Sequence, residues 1–405
     1  MIFESGADPL AVWGYAERYL GVGTRSYSTF AADLEISEEY HPQRGRDTFT
    51  VETFVVPDGL GTYLGNGMGS GLHELYRRDG AFLLPVHPDT LTLDGLLGFD
   101  RLRGCARGPR LTVAPTANAR TVLVTAADGA PVPPHFVKLH YPRRLSRFTR
   151  RLRRPIIELQ LWVSAELARV EVPFLREVGG GVFGDDPHEA WGFLLREARP
   201  AGPAPAYLVP LFALYGGDYR RPGDPTLFEQ LVERSGAPAE EFLVERVVRP
   251  MVALWLTVAG ESGCAPEMHA QNTLFGFAAQ GTETGIVYRD CGIYVDPAVR
   301  RDRSLPPALP PVNVISRDVP FPREQVFSLV YDSFMGHHAL AYLAELAGQR
   351  FGVPPHALHA AARAEFAGRS AGRPPLPDTV FYYDEALHPD GQFRLVDTGE
   401  RPLWR

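Results

Sequence analysis

Apolar residues recur along this 405-residue chain with two different periods, and the period separates helices from strands. Residues 9–20 repeat apolar positions at helical spacing and predict an amphipathic helix, whereas residues 48–56 alternate apolar and polar positions and predict a strand. Residues 111–126 and 135–141 predict three more strands joined by short loops. The N-terminal half is therefore expected to build a mostly antiparallel sheet.

Helical spacing dominates the second half of the chain. Helices are predicted at about 156–171, with an arginine-rich start at about 146, and at 187–197, 224–236, 239–260, 322–350 and 354–368. Pro250 should kink or split the long helix 239–260, because proline has no backbone N–H and its ring clashes with the preceding turn. A hairpin is expected over NTLFGF and GIVYRD, and glycine-rich residues 59–71 are expected to form a turn. These elements indicate an α+β architecture, with a sheet lobe, a helix-rich C-terminal lobe and a site in the cleft between them.

Composition limits the classes of partner. The formal charge is −7 and the pI is near 6.0, so the whole molecule has no general attraction for nucleic acid or acidic membranes. Residues 143–154 hold seven arginines, which would suit RNA phosphates. Phe148 is the one aromatic residue in that run, so a solvated helix face with one or two functional arginines is the favoured interpretation.

Three scattered cysteines, Cys105, Cys264 and Cys291, form no CxxC pair, which favours a reducing compartment. The first residues lack the basic and apolar segments of a signal peptide. The most apolar helix, about 241–260, carries Glu245, Arg246 and Arg249 and is not expected to span a membrane. We therefore expect a cytoplasmic protein.

One segment concentrates polar side chains beside this apolar helix. Glu267, His269, Gln271 and Asn272 follow one another closely, and Asp290 comes in the second strand of the predicted hairpin. Carboxylate and amide oxygens are ligands for Mg²⁺, and the imidazole and amides can bind the anions that the cation carries. If the segment is extended, Glu267, His269 and Gln271 share one face. The alternative is a polar helix cap with a buried, hydrogen-bonded histidine.

A second set carries positive charge. Asn118, Arg120 and Thr121 lie where one predicted strand turns into the next, Lys138 lies in the following strand, and Arg150 is expected on the helix after it. Arginine forks and a lysine ammonium group together can neutralise a triphosphate. The alternative is a set of surface charges near strand ends.

These segments, in this order, resemble the NRPS-independent siderophore synthetases, the aerobactin synthetase (IucA/IucC) family. The matching pieces are LLPVHP at 83–88, APTANARTV at 114–122, VKLHYPRRLSRFTR at 137–150, EMHAQNTL at 267–274 and YRDCG at 288–292. The resemblance covers about residues 80–370, and its tail from about 322 is similar to the family's palm region.

The resemblance implies a cupped-hand fold with a reduced thumb-like region at 1–80, a fingers-like sheet lobe at 81–200 and a palm-like helical lobe at 201–405. It also implies ATP-dependent adenylation of a small-molecule carboxylate, then amide or ester formation with an amine or hydroxyl. ATP phosphates would be held by Asn118, Arg120, Thr121, Lys138, Arg150 and Asn272, and Mg²⁺ by Glu267 and Asp290. His269 and Gln271, with Arg120 and Lys138, would act in catalysis.

The chain also departs from the family pattern. The upstream motif of the GHPxHPxxKxR type is absent, Asn118 stands where members generally carry serine, and HYP at 140–142 replaces an apolar run after Lys138. We therefore expect a retained nucleotide site with rebuilt carboxylate and acceptor pockets. The carboxylate, the nucleophile and the oligomeric state, with a homodimer as one option, stay open.

Two other interpretations are weighed against a ligase. His269, Asn272 and Asp290-Cys291-Gly292 echo the catalytic loop and metal motif of a kinase-like phosphotransferase, but the catalytic aspartate expected shortly after the histidine is absent. A non-catalytic nucleotide-binding relative is the other alternative, favoured by the shortened N-terminal side.

Overall fold

The computed structural model describes residues 6–21, 34–93, 96–145, 148–186, 189–279, 283–307, 322–369, 374–384 and 394–405. Contacts divide the chain into two compact units. The sheet unit comprises Phe30–Ala165 and Leu175–Ala201, and the helical unit comprises Met1–Thr29, Glu166–Phe174 and Gly202–Arg405.

The helices of the described ranges are mostly short. They are α1 (Pro9–Tyr19), α2 (Leu72–Tyr76), α3 (Pro88–Leu91), α4 (Phe99–Arg103), α5 (Arg154–Val170), α6 (Phe212–Tyr215), α7 (Leu227–Ser235), α8 (Ala239–Leu243), α9 (Arg249–Ser262), α10 (Pro297–Asp302), α11 (Arg323–Ser328), α12 (Ala341–Phe351) and α13 (Pro355–Gly368). A 3₁₀ turn covers Glu38–Tyr40, and π-helical segments cover Val244–Val248 and Leu329–Leu340.

The strands follow the same chain order. They are β1 (Phe49–Pro57), β2 (Gly61–Gly65), β3 (Arg77–Arg78), β4 (Ala81–Val86), β5 (Leu111–Pro115), β6 (Thr121–Ala127), β7 (Ala130–Leu139), β8 (Tyr141–Leu145), β9 (Phe148–Arg150), β10 (Glu177–Phe183), β11 (Trp191–Glu197), β12 (Tyr207–Pro210), β13 (Cys264–Ala265), β14 (Thr273–Phe277), β15 (Thr284–Tyr288), β16 (Tyr294–Val295), β17 (Phe381–Tyr383) and β18 (Leu395–Asp397). The predicted strands at 48–56, 111–126 and 135–141 are confirmed.

The core of the sheet unit is one nine-stranded antiparallel sheet with the order β2-β10-β11-β7-β6-β5-β1-β4-β3. Every residue of β10 is buried. Glycine permits the close approach of β10 and β11, since a Cβ atom on Gly192 would lie 1.7 Å from the carbonyl oxygen of Gly181. Apolar side chains of β1, β4, β6 and β7 pack into the main core of this unit.

Three sequence predictions are wrong in the sheet unit. Of the predicted helix at 187–197, residues 187–188 lie outside the described ranges and Trp191–Glu197 form strand β11. This strand is buried at six of its seven positions and so shows no clear alternation. The arginine-rich run forms the hairpin β8–β9, and α5 begins only at Arg154. Part of the glycine-rich segment 59–71 is strand β2, paired with β10, rather than a turn.

In the helical unit the prediction for Pro250 is confirmed. The predicted long helix is divided into α8, the π-helical Val244–Val248 and α9. Pro250 comes directly after the π-helical segment, and Val248 and Arg249 before it keep helical backbone angles. The predicted helices at 9–20, 224–236 and 354–368 are confirmed as α1, α7 and α13.

Two short strand pairs position the polar segments of the helical unit. The predicted hairpin is β14–β15, with Thr273 opposite Tyr288, and β13 pairs with β16, with Cys264 opposite Val295. The segment 266–272 joins β13 to β14, and the segment 289–293 joins β15 to β16. The two segments therefore begin and end at paired strands.

Across the described ranges of the chain, every helix is too short or too polar to cross a membrane.

Candidate active site

In the sheet unit, strand register brings Arg120, Thr121 and Lys138 together. Thr121 lies opposite Lys138 in the β6–β7 pair, and the Leu139 N–H donates to the Arg120 carbonyl over 2.9 Å. All three predicted side chains are buried, and Lys138 is only 3% exposed. The alternative of surface charges therefore does not hold for these three residues.

Lys138 is the one lysine in a chain with 41 basic residues, so 41 − 1 = 40 of them are arginine. Its Nζ donates a 2.7 Å hydrogen bond to Oε1 of Gln160, a buried residue of α5. A buried ammonium group is costly unless hydrogen bonds and counter-charge compensate the lost water. Lysine presents a compact point charge at this position, whereas arginine would present a planar fork.

The turn before β6 is strained and holds a polar atom inside. Ala119 has φ 61°, a left-handed conformation that is unfavourable for residues with a Cβ atom. The Ala119 N–H donates to the Thr116 carbonyl over 2.9 Å, and the Arg120 N–H donates to that of Asn118 over 2.7 Å. Asn118 Oδ1 is buried and has no hydrogen-bond partner within the described ranges. A hydrogen-bond donor on a ligand would compensate that cost.

The pKa of His140 reflects the electrostatic potential at the C-terminal end of β7. Burial, together with the positive charges of Arg120, Arg151 and Arg153, lowers its pKa to about 3. The ring is therefore neutral at pH 7, while several guanidinium groups lie close enough to act on it. This concentration of positive charge suits a polyanion such as a triphosphate.

The prediction that Arg150 lies on a helix is wrong. Arg150 ends strand β9, and its backbone pairs with Tyr141 of β8. The Arg150 side chain lies outside the described part of the structure, so its proposed role in phosphate binding stays a prediction.

In the helical unit, His269, Gln271 and Asn272 lie in a turn, and Glu267 comes just before it, rather than in an extended strand or at a helix end. The Asn272 and Thr273 N–H groups both donate to the His269 carbonyl over 3.0 Å, which closes the turn. The prediction of one shared extended face is therefore wrong. These hydrogen bonds within the turn hold it in place. One further bond comes from outside the turn, where the Ala270 N–H donates to the His338 carbonyl over 3.1 Å.

The His269 ring is buried and oriented. Its Nδ1 accepts a hydrogen bond from the Gln271 N–H over 3.3 Å, and its ring packs edge-on against Phe334 at 5.6 Å. With Nδ1 as acceptor, the neutral imidazole carries its proton on Nε2. In this tautomer Nε2–H is the donor of the His269 ring.

Asp290, in the helical unit, also has a strained backbone, with φ 83°. Its Oδ1 accepts from the Gly292 N–H over 3.0 Å, and the preceding Arg289 N–H donates to the Asn272 carbonyl over 2.9 Å. Left-handed non-glycine residues persist only when their surroundings hold them, and they concentrate at functional sites.

The two predicted metal ligands lie around one phenol. Burial, and then the negative charges of Asp290 and Glu267, raise the pKa of Tyr288 well above its usual value. The Glu267 N–H also donates to the Tyr288 hydroxyl over 3.3 Å, so the backbone of Glu267 contacts this residue directly. Within the described ranges there is no group of three or more acidic, histidine or cysteine ligands. Mg²⁺ commonly uses one or two carboxylates with water and substrate phosphates, so this pair fits it.

Sequence reasoning missed several residues around these sets. Gln160 accepts a hydrogen bond from Lys138, and the charge of Arg120 helps to lower the pKa of His140. Tyr288 lies beside the predicted carboxylates. The strongest signal in the amino-acid sequence is the single lysine, because its uniqueness alone marks position 138.

A groove of about 1030 Å³ lies elsewhere in the sheet unit, around β2, α2 and β3. Its walls include Tyr63, His73 and Arg77, and none of the predicted site residues lines it.

One protein-family model matches the chain. Residues 241–387 match the family described as ferric iron reductase FhuF-like transporter, which spans the turn around His269 and the Arg289-Asp290 segment. No curated protein matches the sequence.

Solved structures are similar over most of the chain. The aerobactin synthetase IucC from a hypervirulent pathotype of Klebsiella pneumoniae has a TM-score of 0.58 at 17% identity, over 82% of this chain and 65% of that chain. The ATP-bound aerobactin synthetase IucA from the same source has a TM-score of 0.63 at 17% identity, over 88% of this chain and 69% of that chain. The petrobactin biosynthesis protein AsbB from Bacillus anthracis str. Sterne has a TM-score of 0.59 at 12% identity, over 85% of this chain and 67% of that chain.

At sequence identities this low, the structural similarity establishes the fold alone. The chain has the α+β fold of the aerobactin synthetases, which confirms at the level of structure the resemblance stated from the sequence. The chain spans less than two thirds of the length of IucC.

Proposed function

We propose that this protein is an ATP-dependent ligase that activates a small-molecule carboxylate as an acyl-adenylate and passes the acyl group to an amine or a hydroxyl. The expected setting is the biosynthesis of a siderophore or another specialised metabolite. The observation that carries the proposal is the position of the sole lysine, buried opposite Thr121 and next to Arg120, on a fold whose solved examples include an ATP-bound synthetase.

The first step needs positive charge more than covalent help from the protein. A carboxylate oxygen attacks the α-phosphorus of ATP, the bond to the bridging oxygen breaks, and pyrophosphate leaves. Arg120, Thr121 and Lys138 would hold the phosphates, and their charge would stabilise the leaving pyrophosphate in a site from which water is largely excluded. Asn118 and Arg150 would complete this set.

The helical unit would supply the oxygen ligands and the donors. Glu267 and Asp290 would hold Mg²⁺, which supplies Lewis-acid stabilisation of phosphate charge when it is bound. His269 would donate its Nε2–H to an oxygen of the carboxylate or the α-phosphate, and Gln271 and Asn272 would orient the same groups. In the second step the amine nitrogen or hydroxyl oxygen attacks the acyl carbonyl, AMP leaves, and the nucleophile loses one proton.

Product identity tests this function. The purified protein is incubated with ATP, Mg²⁺, a panel of carboxylic acids and hydroxylamine as a general nucleophile, and nucleotides are separated by chromatography. Carboxylate-dependent AMP is the expected product. ADP would instead support the phosphotransferase alternative. ATP binding with no turnover for any acid would support a non-catalytic nucleotide-binding relative.

A further inference from the structure

Arg289 ties the segment 289–293 to the turn around His269 through both its backbone and its side chain. Its backbone N–H donates to the Asn272 carbonyl over 2.9 Å, and its Nε donates to the Gln271 carbonyl over 2.8 Å. The residue is 6% exposed. Arg289 therefore fixes two residues of the turn while its neighbour in sequence is Asp290.

A carboxylate from the other end of the chain holds this guanidinium in place. Arg289 Nη1 donates to Oε1 of Glu17, which lies in α1 and is 3% exposed. The same Oε1 accepts from the indole Nε1 of Trp13 over 3.0 Å. Helix α1 itself packs against β12, the neighbour of β14 in its sheet. The ion pair thus has a rigid frame on both sides.

The position of the Glu17–Arg289 ion pair matters because the backbone of the neighbouring Asp290 is strained. A non-glycine residue at φ 83° needs contacts on both sides to hold it. The Gly292 N–H bond to Asp290 Oδ1 supplies one side, and the tethers of Arg289 supply the other. Without the Arg289 side chain, the chain could relax at Asp290 by moving the segment away from the turn.

We propose that Arg289 is a positioning residue, held by Glu17 of α1, that sets the placement of Gln271 and of the Asp290 carboxylate for metal-nucleotide binding. The inference rests on the proposed function. Groups that orient metal ligands without touching the metal typically change metal affinity or activity by about 10- to 100-fold when they are removed.

A purely structural ion pair is the competing explanation, and a double variant separates the two. Removing one member of a buried pair leaves an uncompensated charge and destabilises the fold, whereas replacing both with apolar residues of similar volume is often neutral. Glu17→Met combined with Arg289→Met removes the tether to Gln271 without burying a lone charge. Arg289→Lys keeps the charge beside Glu17 but loses the planar fork that bonds two acceptors.

The measurement is isothermal titration with ATP, with and without Mg²⁺, alongside thermal unfolding. In the wild type Mg²⁺ should strengthen ATP binding. In both variants we expect that strengthening to fall by about 10- to 100-fold while affinity for ATP without metal is kept. Arg289→Lys decides the question if the double variant does not fold. Glu177→Met with Arg196→Met, which replaces the buried ion pair of the sheet unit, is the matched control and should leave the Mg²⁺ effect unchanged.

The outcomes are distinct. A wild type that binds no ATP would overturn the proposed function and this inference with it. A wild type with a clear Mg²⁺ effect that both variants retain in full would overturn the inference alone.

Discussion

Thr121 and Lys138 lie opposite each other in the antiparallel pair β6–β7, and the Lys138 ammonium reaches Gln160 of α5. Position 138 thereby combines three properties: it is buried, it is cationic, and it is the one lysine of the chain. This combination makes Lys138 the residue through which the nucleotide hypothesis is most easily tested.

Lys138→Gln should weaken ATP binding by about 10- to 100-fold, the effect expected from losing one charge-assisted hydrogen bond. Glutamine removes the charge but keeps a polar donor in this buried position, so the fold should hold. Isothermal titration with ATP measures the loss. Arg110→Gln, a change of one exposed charge in the same unit, is the matched control and should bind ATP as the wild type does. Equal affinities for both variants would remove Lys138 from the site.

The single lysine also allows a direct test by chemical labelling. Reductive methylation with ¹³C-formaldehyde modifies only the Lys138 amine and the chain's α-amine, so few resonances are expected. Because Lys138 is 3% exposed, it should react more slowly than an exposed amine, and ATP should slow it further. Rapid methylation of Lys138 that ATP does not change would contradict the proposed phosphate contact.

His269→Asn should lower the rate of adenylate formation by about 100-fold, the usual effect of removing one donor to a developing anion. ATP affinity should change far less, because the proposed phosphate contacts come from other residues. His337→Asn is the control, since that side chain is 31% exposed. The pair is compared by the rate of carboxylate-dependent pyrophosphate release, and equal rates would refute the role given to His269.

Stability should fall on mild acidification. Burial lowers the pKa of His87 and of His135 to about 4, and that of His140 to about 3. Their unfolded pKa is about 6.5, so below that pH the unfolded chain binds more protons than the folded one. Each histidine should then reduce the free energy of unfolding by about 1.4 kcal/mol per pH unit until its folded pKa is reached.

Urea unfolding between about pH 6.5 and pH 5 checks this sign, since few carboxylates titrate there. The midpoint should drop steadily as the pH falls. A urea midpoint that stays constant or rises over this pH range would show that the pKa values of these three histidines are not lowered in the folded protein.

Local patterns are enough to predict much of the sheet and the neighbours within it. They place Thr121 and Lys138 in adjacent strands, because these strands carry clear apolar runs and are joined by a tight loop. The hairpin β14–β15 and the division of the long helix at Pro250 follow from equally local signals.

Other features depend on tertiary contacts that no local pattern records. The pattern at β11 predicts a helix wrongly, because burial on both faces removes the alternation that marks a strand. The turn around His269 is held by hydrogen bonds within it and by the His338 carbonyl, which comes from a distant helical segment. Glu17 reaches Arg289 across 272 positions. Such contacts come from the packing of whole elements.

The most direct test of the central claim is carboxylate-dependent exchange of labelled pyrophosphate into ATP. Reversible adenylation returns pyrophosphate to ATP only when a suitable acid is present, and no acceptor is needed. We expect exchange in the wild type with at least one acid from a broad panel, and its loss in Lys138→Gln. Absence of exchange with every acid, in a folded protein that binds ATP and Mg²⁺, would contradict the proposed adenylation.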